Sequence, residues 1–366
     1  MKKIIFIILG IILLLFGSYL AFSGRGKQIE FKYTDNLSNQ QDLISYESWS
    51  AKQKQQIKSL SQPIKQKEEV SLFVVGDIML SRTVGKKMLE NDDYKYPFLL
   101  MQSEISSADL AFANLESPIL AGSPVPTGSF TFRADPETAE SLAWAGFDVL
   151  SLANNHILNK GQAGLLNTRN LLTENNIDYV GVVDNTNNYK QNIIIKEVNG
   201  IKIAFLAYSY GPNEYSAKTT SAGFVPMDKN ILKENLEAVK EKVDFIVVSM
   251  HAGVEYEHSS SKFQKDFAHF AIDNGADLIL GHHPHVVQEV EKYNDKYIFY
   301  SLGNFVFDQM WSLATRQGMA VKFIIDKAGV QRIKTYPVMI EDYSQPRLAE
   351  GLEIETINNY LKLDLN

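Results

Sequence analysis

The chain has 366 residues, 45% of them hydrophobic, a formal charge of −7 and no cysteine. The length suits one large domain or two modest ones, and the missing cysteine excludes disulfides, thiolate zinc sites and lipoprotein-type acylation. Lys2, Lys3 and the +2 balance of residues 24–69 leave −11 on the remainder, which argues against sequence-independent nucleic-acid binding.

Residues 4–22 form an uncharged apolar run behind Lys2 and Lys3. At ~1.5 Å per residue it just crosses a ~30 Å hydrocarbon core. It reads as a transmembrane anchor over residues 1–23, or as a signal peptide with Ala21-Phe22-Ser23 as its cleavage site. Either reading places the bulk of the chain outside the cytoplasm. Residues 24–69 are rich in Gln, Lys and Ser and read as a solvated stem.

From Val70 the pattern changes. Apolar runs SLFVV, DLAFA, DVLSLA, IAFLAY, DFIVVSM and ADLILG alternate with helix-like stretches at 136–145, 162–174, 229–241 and 263–274. That alternation predicts a mostly parallel sheet covered on both faces. After Gly281 the helices are expected to stop. HVVQEVEKY, KYIFYSLG, MAVKFIID and VQRIKTYPVMI then read as a β-meander. The domain is set at 70–345 and a tail, with one weak amphipathic stretch, at 346–366.

Polar side chains punctuate the strand ends. Asp77 closes SLFVVGD, where a carboxylate caps a helix or binds a metal. Asn114 and Glu116 in ANLES are two apart and face one way in an extended segment. Asn154, Asn155 and His156 follow DVLSLA, and His251 follows DFIVVSM. Glu255 and His258 carry less weight, and His269 sits within an amphipathic helix. His282-His283-Pro284-His285 is the strongest item. His283 and His285 converge on one side of an extended segment, and neutral imidazole is the metal-binding form. Open α/β sheets carry their sites at such an edge. A mixed O/N ligand set without sulfur suits one or two divalent ions, Mn, Fe or Zn. Six ligands exceed one tetrahedral zinc and suit two metals sharing one carboxylate.

The motifs GDIMLSR, ANLESPI, SLANNHILNKG, HAGVEYEH, GHHPHVVQ and SLGNFVFDQ together resemble the CapA family, named for capsule and poly-γ-glutamate synthesis. That family lies within the calcineurin-like metallophosphoesterase superfamily. The resemblance spans about Val70 to Tyr343 and implies a four-layer αββα sandwich of the metallo-dependent phosphatase type, with a membrane anchor and an outward-facing domain. It implies that Asp77 and His285 hold a first metal, that Glu116 bridges, and that Asn155, His251 and His283 hold a second. It makes His156 the proton donor and places Arg133 and Asn304 near the substrate. Four positions depart from the superfamily pattern: Met79 stands for a His, Glu116 for the bridging Asp, Asn154 for a Gly and Ala252 for a Trp.

The expected function is therefore a membrane-anchored, extracytoplasmic protein that makes, releases or attaches an anionic surface polymer of the poly-γ-glutamate type. Its chemistry would be metal-assisted hydrolysis or transfer at a phosphoester or amide, alongside membrane synthase subunits. Two alternatives stand beside it: a non-enzymatic polymer-binding or assembly subunit, and a secreted nucleotide phosphatase of the same superfamily.

Overall fold

The computed structural model describes residues 68–363. The 4–22 anchor and, apart from Glu68 and Glu69, the 24–69 stem lie outside them. Among the described residues no helix is long and apolar enough to cross a membrane.

Strand β1 (Val70–Ile78) is buried along nearly its whole length. Its side chains alternate between two cores, as period-2 geometry requires. Leu72 and Val74 face one hydrophobic cluster, and Phe73 and Val75 face another. Burial on both faces is why the strand reads as an unbroken apolar run. The same holds for β2 (Leu110–Leu115) and β3 (Val149–Ser151). With β4 (Asp178–Val180) these strands pair in parallel.

The short β5 (Val182–Val183) stands off this sheet. The chain next builds β6 (Ile194–Val198) and β7 (Ile201–Ser209). The ribbon strand β8 (Gly223–Phe224) pairs with β5. Then come β9 (Phe245–His251), β10 (Leu278–His282), β11 (Val290–Tyr293) and β12 (Lys296–Phe299). These make a second sheet in the order β11-β12-β10-β9-β7-β6. The chain returns to the first sheet through β13 (Asn304–Val306), β14 (Gln317–Asp326), β15 (Gly329–Glu341) and β16 (Gln345–Leu348). That sheet runs β16-β15-β14-β1-β2-β3-β4, with β13 also on β1.

Two mixed sheets thus replace the single mostly parallel one read from the apolar runs, and with helices outside each they form the four layers, αββα, that the family resemblance implied. Each sheet keeps a parallel centre, with antiparallel strands at one or both margins. The expected meander is two hairpins, β11–β12 and β14–β15, that lie in different sheets. His285–Gln288 are not part of either.

The sheets pack face to face through Phe112 on Phe205, stacked at 5.6 Å, and Phe299 on Phe323, edge-on at 5.4 Å. Helices α1 (Arg82–Glu90), α2 (Thr138–Ala145) and α3 (Gly161–Glu174) cover the outer face of the first sheet with Val84, Met88, Leu142, Leu165 and Leu172. Helices α4 (Lys229–Val239) and α5 (Lys262–Asp273) cover the second with Leu232, Leu236 and Phe267. Each such buried side chain contributes roughly 1.5–3 kcal/mol, so three stacked cores hold the strand ends rigidly. Helix α1 was not foreseen from the sequence. Helices also continue past Gly281, at Leu313–Arg316 and at α6 (Leu352–Leu361). Ile357 and Leu361 of α6 join the core between the sheets, so the expected tail is part of the domain.

One close approach positions the first functional side chain. A Cβ on Gly76 would lie 2.0 Å from the Gly303 carbonyl, so only glycine lets β13 cross there. The Asp77 N–H donates to that carbonyl at 3.0 Å, within a register shift between β1 and β2. The bulge re-aims Asp77 at the sheet edge.

Candidate metal centre

The carboxyl-terminal edges of the two parallel centres meet. Asp77 lies near the end of β1, Glu116 just beyond β2 and Asn155–His156 beyond β3. His251 ends β9, and His283 and His285 follow β10.

Hydrogen bonds fix the orientation of the amides. Asn154 Nδ2 donates to the Leu115 carbonyl at 2.8 Å, and its Oδ1 accepts from the His156 N–H at 3.1 Å. Both partners are backbone, so the amide cannot flip. Its Nδ2 also donates to Asn114 Oδ1 at 3.1 Å. Asn114 must therefore turn its own Nδ2 into the cluster. There it faces Asp77 Oδ1 at 2.9 Å, Glu116 Oε2 at 3.4 Å and His251 Nδ1 at 3.3 Å. That amide has two hydrogens for three neighbours, and His251 Nε2 faces Asn155 Oδ1 at 3.0 Å.

Hydrogen bonds of this kind assign two imidazoles. Asn304 Nδ2 donates to the Thr315 carbonyl at 2.9 Å and to Gln309 Oε1 at 3.0 Å. Its Oδ1 then accepts from His285 Nδ1 at 3.0 Å, which leaves His285 Nε2 bare. Asn159 Oδ1 accepts from the Phe132 N–H at 2.7 Å and from His156 Nδ1 at 2.9 Å, which leaves His156 Nε2 bare.

The two carboxyls differ sharply. Asp77 and Glu116 are both fully buried. Burial opposes ionisation of Asp77, but hydrogen bonds from His282 and His285 outweigh it and hold the carboxyl well below its usual range. His282 Nδ1 lies 3.1 Å from Asp77 Oδ1, and the His283 N–H donates to Oδ2 at 3.1 Å. Burial, and then the Asp77 charge, push Glu116 well above the usual range. Burial lowers His156 to about 4. Burial and the neighbouring His285 lower His283 to about 4. Burial, with His283 beside it, drives His251 well down. His156, His251 and His283 are therefore neutral at neutral pH, the ligating form.

One atom tests whether this donor set fits a metal. Glu116 Oε1 is buried and, among the described residues, accepts no hydrogen bond. Around it stand Nε2 of His156 at 3.8 Å, of His285 at 3.9 Å and of His251 at 4.0 Å. An orphaned buried carboxylate oxygen is costly. Two ligand atoms sharing one ion at about 2.0–2.2 Å stand at most about 4.4 Å apart, so these spacings fit. His283 Nδ1 is likewise buried without a partner among the described residues. Its ring lies 4.8 Å from that of His251. Asp77, Glu116 and His251 offer ligand atoms within 4.8 Å of one another.

The structure thus gathers Asp77, Glu116, Asn155, His156, His251, His283 and His285 in one place. Two other expected residues spend their polar groups on the protein itself. Arg133 is 5% exposed and donates to the carbonyls of Ser123, Leu120 and Ala134 and to Asp135. Those groups occupy its guanidinium inside its own loop, and Arg133 is not among the residues lining the cleft. Asn304 is fully buried and orients His285 instead of facing a substrate. Met79 turns its sulfur to the Ser81 N–H at 3.1 Å and packs in the outer core. The sequence reading also passed over three participants: Asn114 as the hub of the amide network, His282 as a partner of Asp77, and Arg82.

A cleft of about 470 Å³ opens over the centre. Arg82, Asn155, His156, Tyr256, His285 and Trp311 are among its lining residues.

A family model described as bacterial capsule synthesis protein PGA_cap matches residues 71–309. The PGA biosynthesis protein CapA of Bacillus subtilis (strain 168) is 32% identical over 301 residues, covering 81% of this chain and 79% of that protein. The capsule biosynthesis protein CapA of Bacillus anthracis is 31% identical over 313 residues, covering 82% and 75%. Among solved structures, a hypothetical protein from Thermus thermophilus aligns with a TM-score of 0.49 at 16% identity, covering 74% of this chain and 100% of that one.

Proposed function

The chain belongs to the bacterial capsule synthesis protein family, PGA_cap, and on that premise we propose that it makes, releases or attaches an anionic surface polymer of the poly-γ-glutamate type. The work is done at a divalent metal centre of the metallophosphatase type, held by Asp77, Glu116, Asn155, His251, His283 and His285. The observation that carries this reading is the unpartnered Glu116 Oε1 amid three imidazole nitrogens. One or two ions of Mn, Fe or Zn suit the oxygen and nitrogen donors. Once bound they would polarise a phosphoryl or carbonyl oxygen and activate water for hydrolysis or transfer.

The chain's own groups do the rest. Asn155, His156 and His285 line the cleft, so a substrate there touches all three. His156 handles a proton at Nε2, the nitrogen left bare by Asn159. It starts neutral, so the proton it passes to a leaving group would be the one given up by the attacking water. Asn304 fixes the His285 ring. The apolar run at 4–22 tethers the domain to the membrane on its outer face.

The test is elemental analysis of the purified full-length chain, followed by turnover of a phosphodiester and of poly-γ-glutamate with Mn²⁺ added. Bound metal with cleavage of either substrate is expected. A protein that takes up no divalent ion removes the proposal. Asn304→Ala is expected to weaken metal binding about 10–100-fold, the usual cost of losing a group that orients a ligating histidine. Competition against a chelating dye measures it, and an unchanged affinity would take His285 out of the ligand set.

A second reading rests on Met79. The superfamily places a metal-binding His there, and this side chain packs in the core instead. A polymer-binding subunit of a synthase, keeping the ligands without turnover, accommodates that change. Bound metal and bound polymer with no cleavage would favour it.

A further inference from the structure

We propose that Arg82, not Arg133, is the residue that grips an oxyanion of the substrate, a phosphate or carboxylate group, beside the metal centre. The inference deepens the reading above, because it takes the same cleft as the substrate site.

Arg82 is the one permanently cationic side chain among the described residues lining the cleft. Its guanidinium is held on every side. It pairs with Asp308 and donates to the Ser129 carbonyl at 3.0 Å. Asp308 is itself pinned, because its other oxygen accepts from the Thr83 N–H at 3.1 Å in the first turn of α1.

Two rings set edge-on to each other flank the guanidinium, Phe132 at 4.8 Å and Phe307 at 5.5 Å. Each ring also carries a histidine of the centre. Phe132 stacks on His156 at 4.0 Å, and Phe307 packs on His285 at 4.7 Å. Arg82 therefore sits one aromatic ring away from both imidazoles, with its plane fixed.

Its donors are not used up. A guanidinium has five N–H groups, and Asp308 and the Ser129 carbonyl engage two nitrogens. Nε is buried with no partner among the described residues. The side chain is only 10% exposed, and leaving donors unfilled on so buried a charge is costly. Arg133 shows the contrast, with three backbone carbonyls and a carboxylate around it. Arg82 also holds a φ of +51°, a conformation that L-residues other than Asn and Asp seldom adopt. A planar fork with spare donors and a fixed orientation matches the two oxygens of a carboxylate or phosphate.

The experiment is isothermal titration of the full-length chain with inorganic phosphate and, separately, with a γ-linked glutamate oligomer. Arg82→Gln is expected to weaken binding of at least one probe about 10–100-fold, the range for a lost charge-assisted hydrogen bond. Arg82→Lys should recover part of that loss, which a purely structural role would not produce. Loss for phosphate alone identifies a phosphoester group, and loss for the oligomer alone identifies a carboxylate. If Arg82→Gln fails to fold, Arg82→Lys alone should bind more weakly than the parent, since the charge stays and the fork is gone. Parental affinity for both probes in the variants overturns the inference, and so does a parent that binds neither. Metal content of the same samples separates the two readings. A metal-loaded Arg82→Gln protein with undiminished binding refutes Arg82 alone. A metal-free parent that binds an oxyanion through Arg82 refutes the metal centre alone.

Discussion

Glu116→Gln is expected to strip the centre of metal and, in metal-free protein at pH 8, to raise the melting temperature. The two effects have one cause. Glu116 is fully buried, and its Oε1 has no hydrogen-bond partner among the described residues. Burial and the Asp77 charge already push its pKa well up. A carboxyl whose folded pKa is raised stabilises least above that pKa, where the buried charge must form. Glutamine keeps the shape and the acceptor for Asn114 Nδ2 while removing the charge. A buried group left without its hydrogen bond costs about 1–3 kcal/mol, more when charged, and the glutamine removes the charged part of that cost. For a domain of this size that is several degrees, about 2–4 °C per kcal/mol. With Mn²⁺ the order should reverse. The parent gains about 4 kcal/mol at an ion concentration a thousandfold above Kd, and the variant gains nothing. Paired thermal melts with Mn²⁺ and with EDTA measure both effects, and elemental analysis checks the loss of ion. A variant that melts below the parent in EDTA, or that keeps its Mn²⁺ shift, would show that Glu116 is a structural carboxyl.

The parts of this molecule that were legible in its sequence share a local cause. Strands buried on both faces write unbroken apolar runs, so SLFVV, DFIVVSM and ADLILG are visible without knowing their partners. The helix at 263–274 carries its own signal in a buried stripe and a capping box from Ser261 to Gln264. Helix α1 buries Val84 and Met88 but has no capping box. Its segment RTVGKKMLE has a central glycine, no acid in its first turn and no side-chain cap of its own. The Thr83 N–H instead finds Asp308, far along the chain. The split into two sheets was hidden in the apolar runs and came only from the family resemblance, because β13 and β14 rejoin β1 only after the second sheet is complete. The two arginines make the same point at the centre. Nothing local distinguishes Arg82 from Arg133. Arg133 is consumed by carbonyls of its own loop, whereas Arg82 is placed by Phe132, Phe307 and Asp308. Asn114 was half visible, since its two-residue spacing to Glu116 put both on one side. Its role as hub depends on Asn154, fixed by the Leu115 carbonyl.

Acidification should destabilise the metal-free protein steeply between pH 7 and pH 5. His156, His251 and His283 all have folded pKa values below the ordinary 6.5, about 4 for His156 and His283. In that window the unfolded chain binds protons that the folded chain refuses. Stability is then fully present above 6.5 and is lost as pH falls toward 4. At pH 5, His156 and His283 have each lost about 1.5 pH units of this term, on the order of 2 kcal/mol apiece. Their sum, about 4 kcal/mol, is a large share of a typical total of 5–15 kcal/mol. Asp77 acts in the same direction but only below its ordinary value of 3.8, so it is not responsible near pH 5. Glu116 acts in the opposite direction, because its raised pKa favours the folded state as pH falls. The observed slope is the difference between the histidines and this one carboxyl, so Glu116→Gln should steepen it. Urea unfolding in EDTA at pH 7, 6 and 5 gives the slope for parent and variant. A flat profile in the Glu116→Gln variant, where the opposing carboxyl is gone, would mean that these imidazoles already carry protons in the folded protein, and a charged imidazole cannot serve as a ligand.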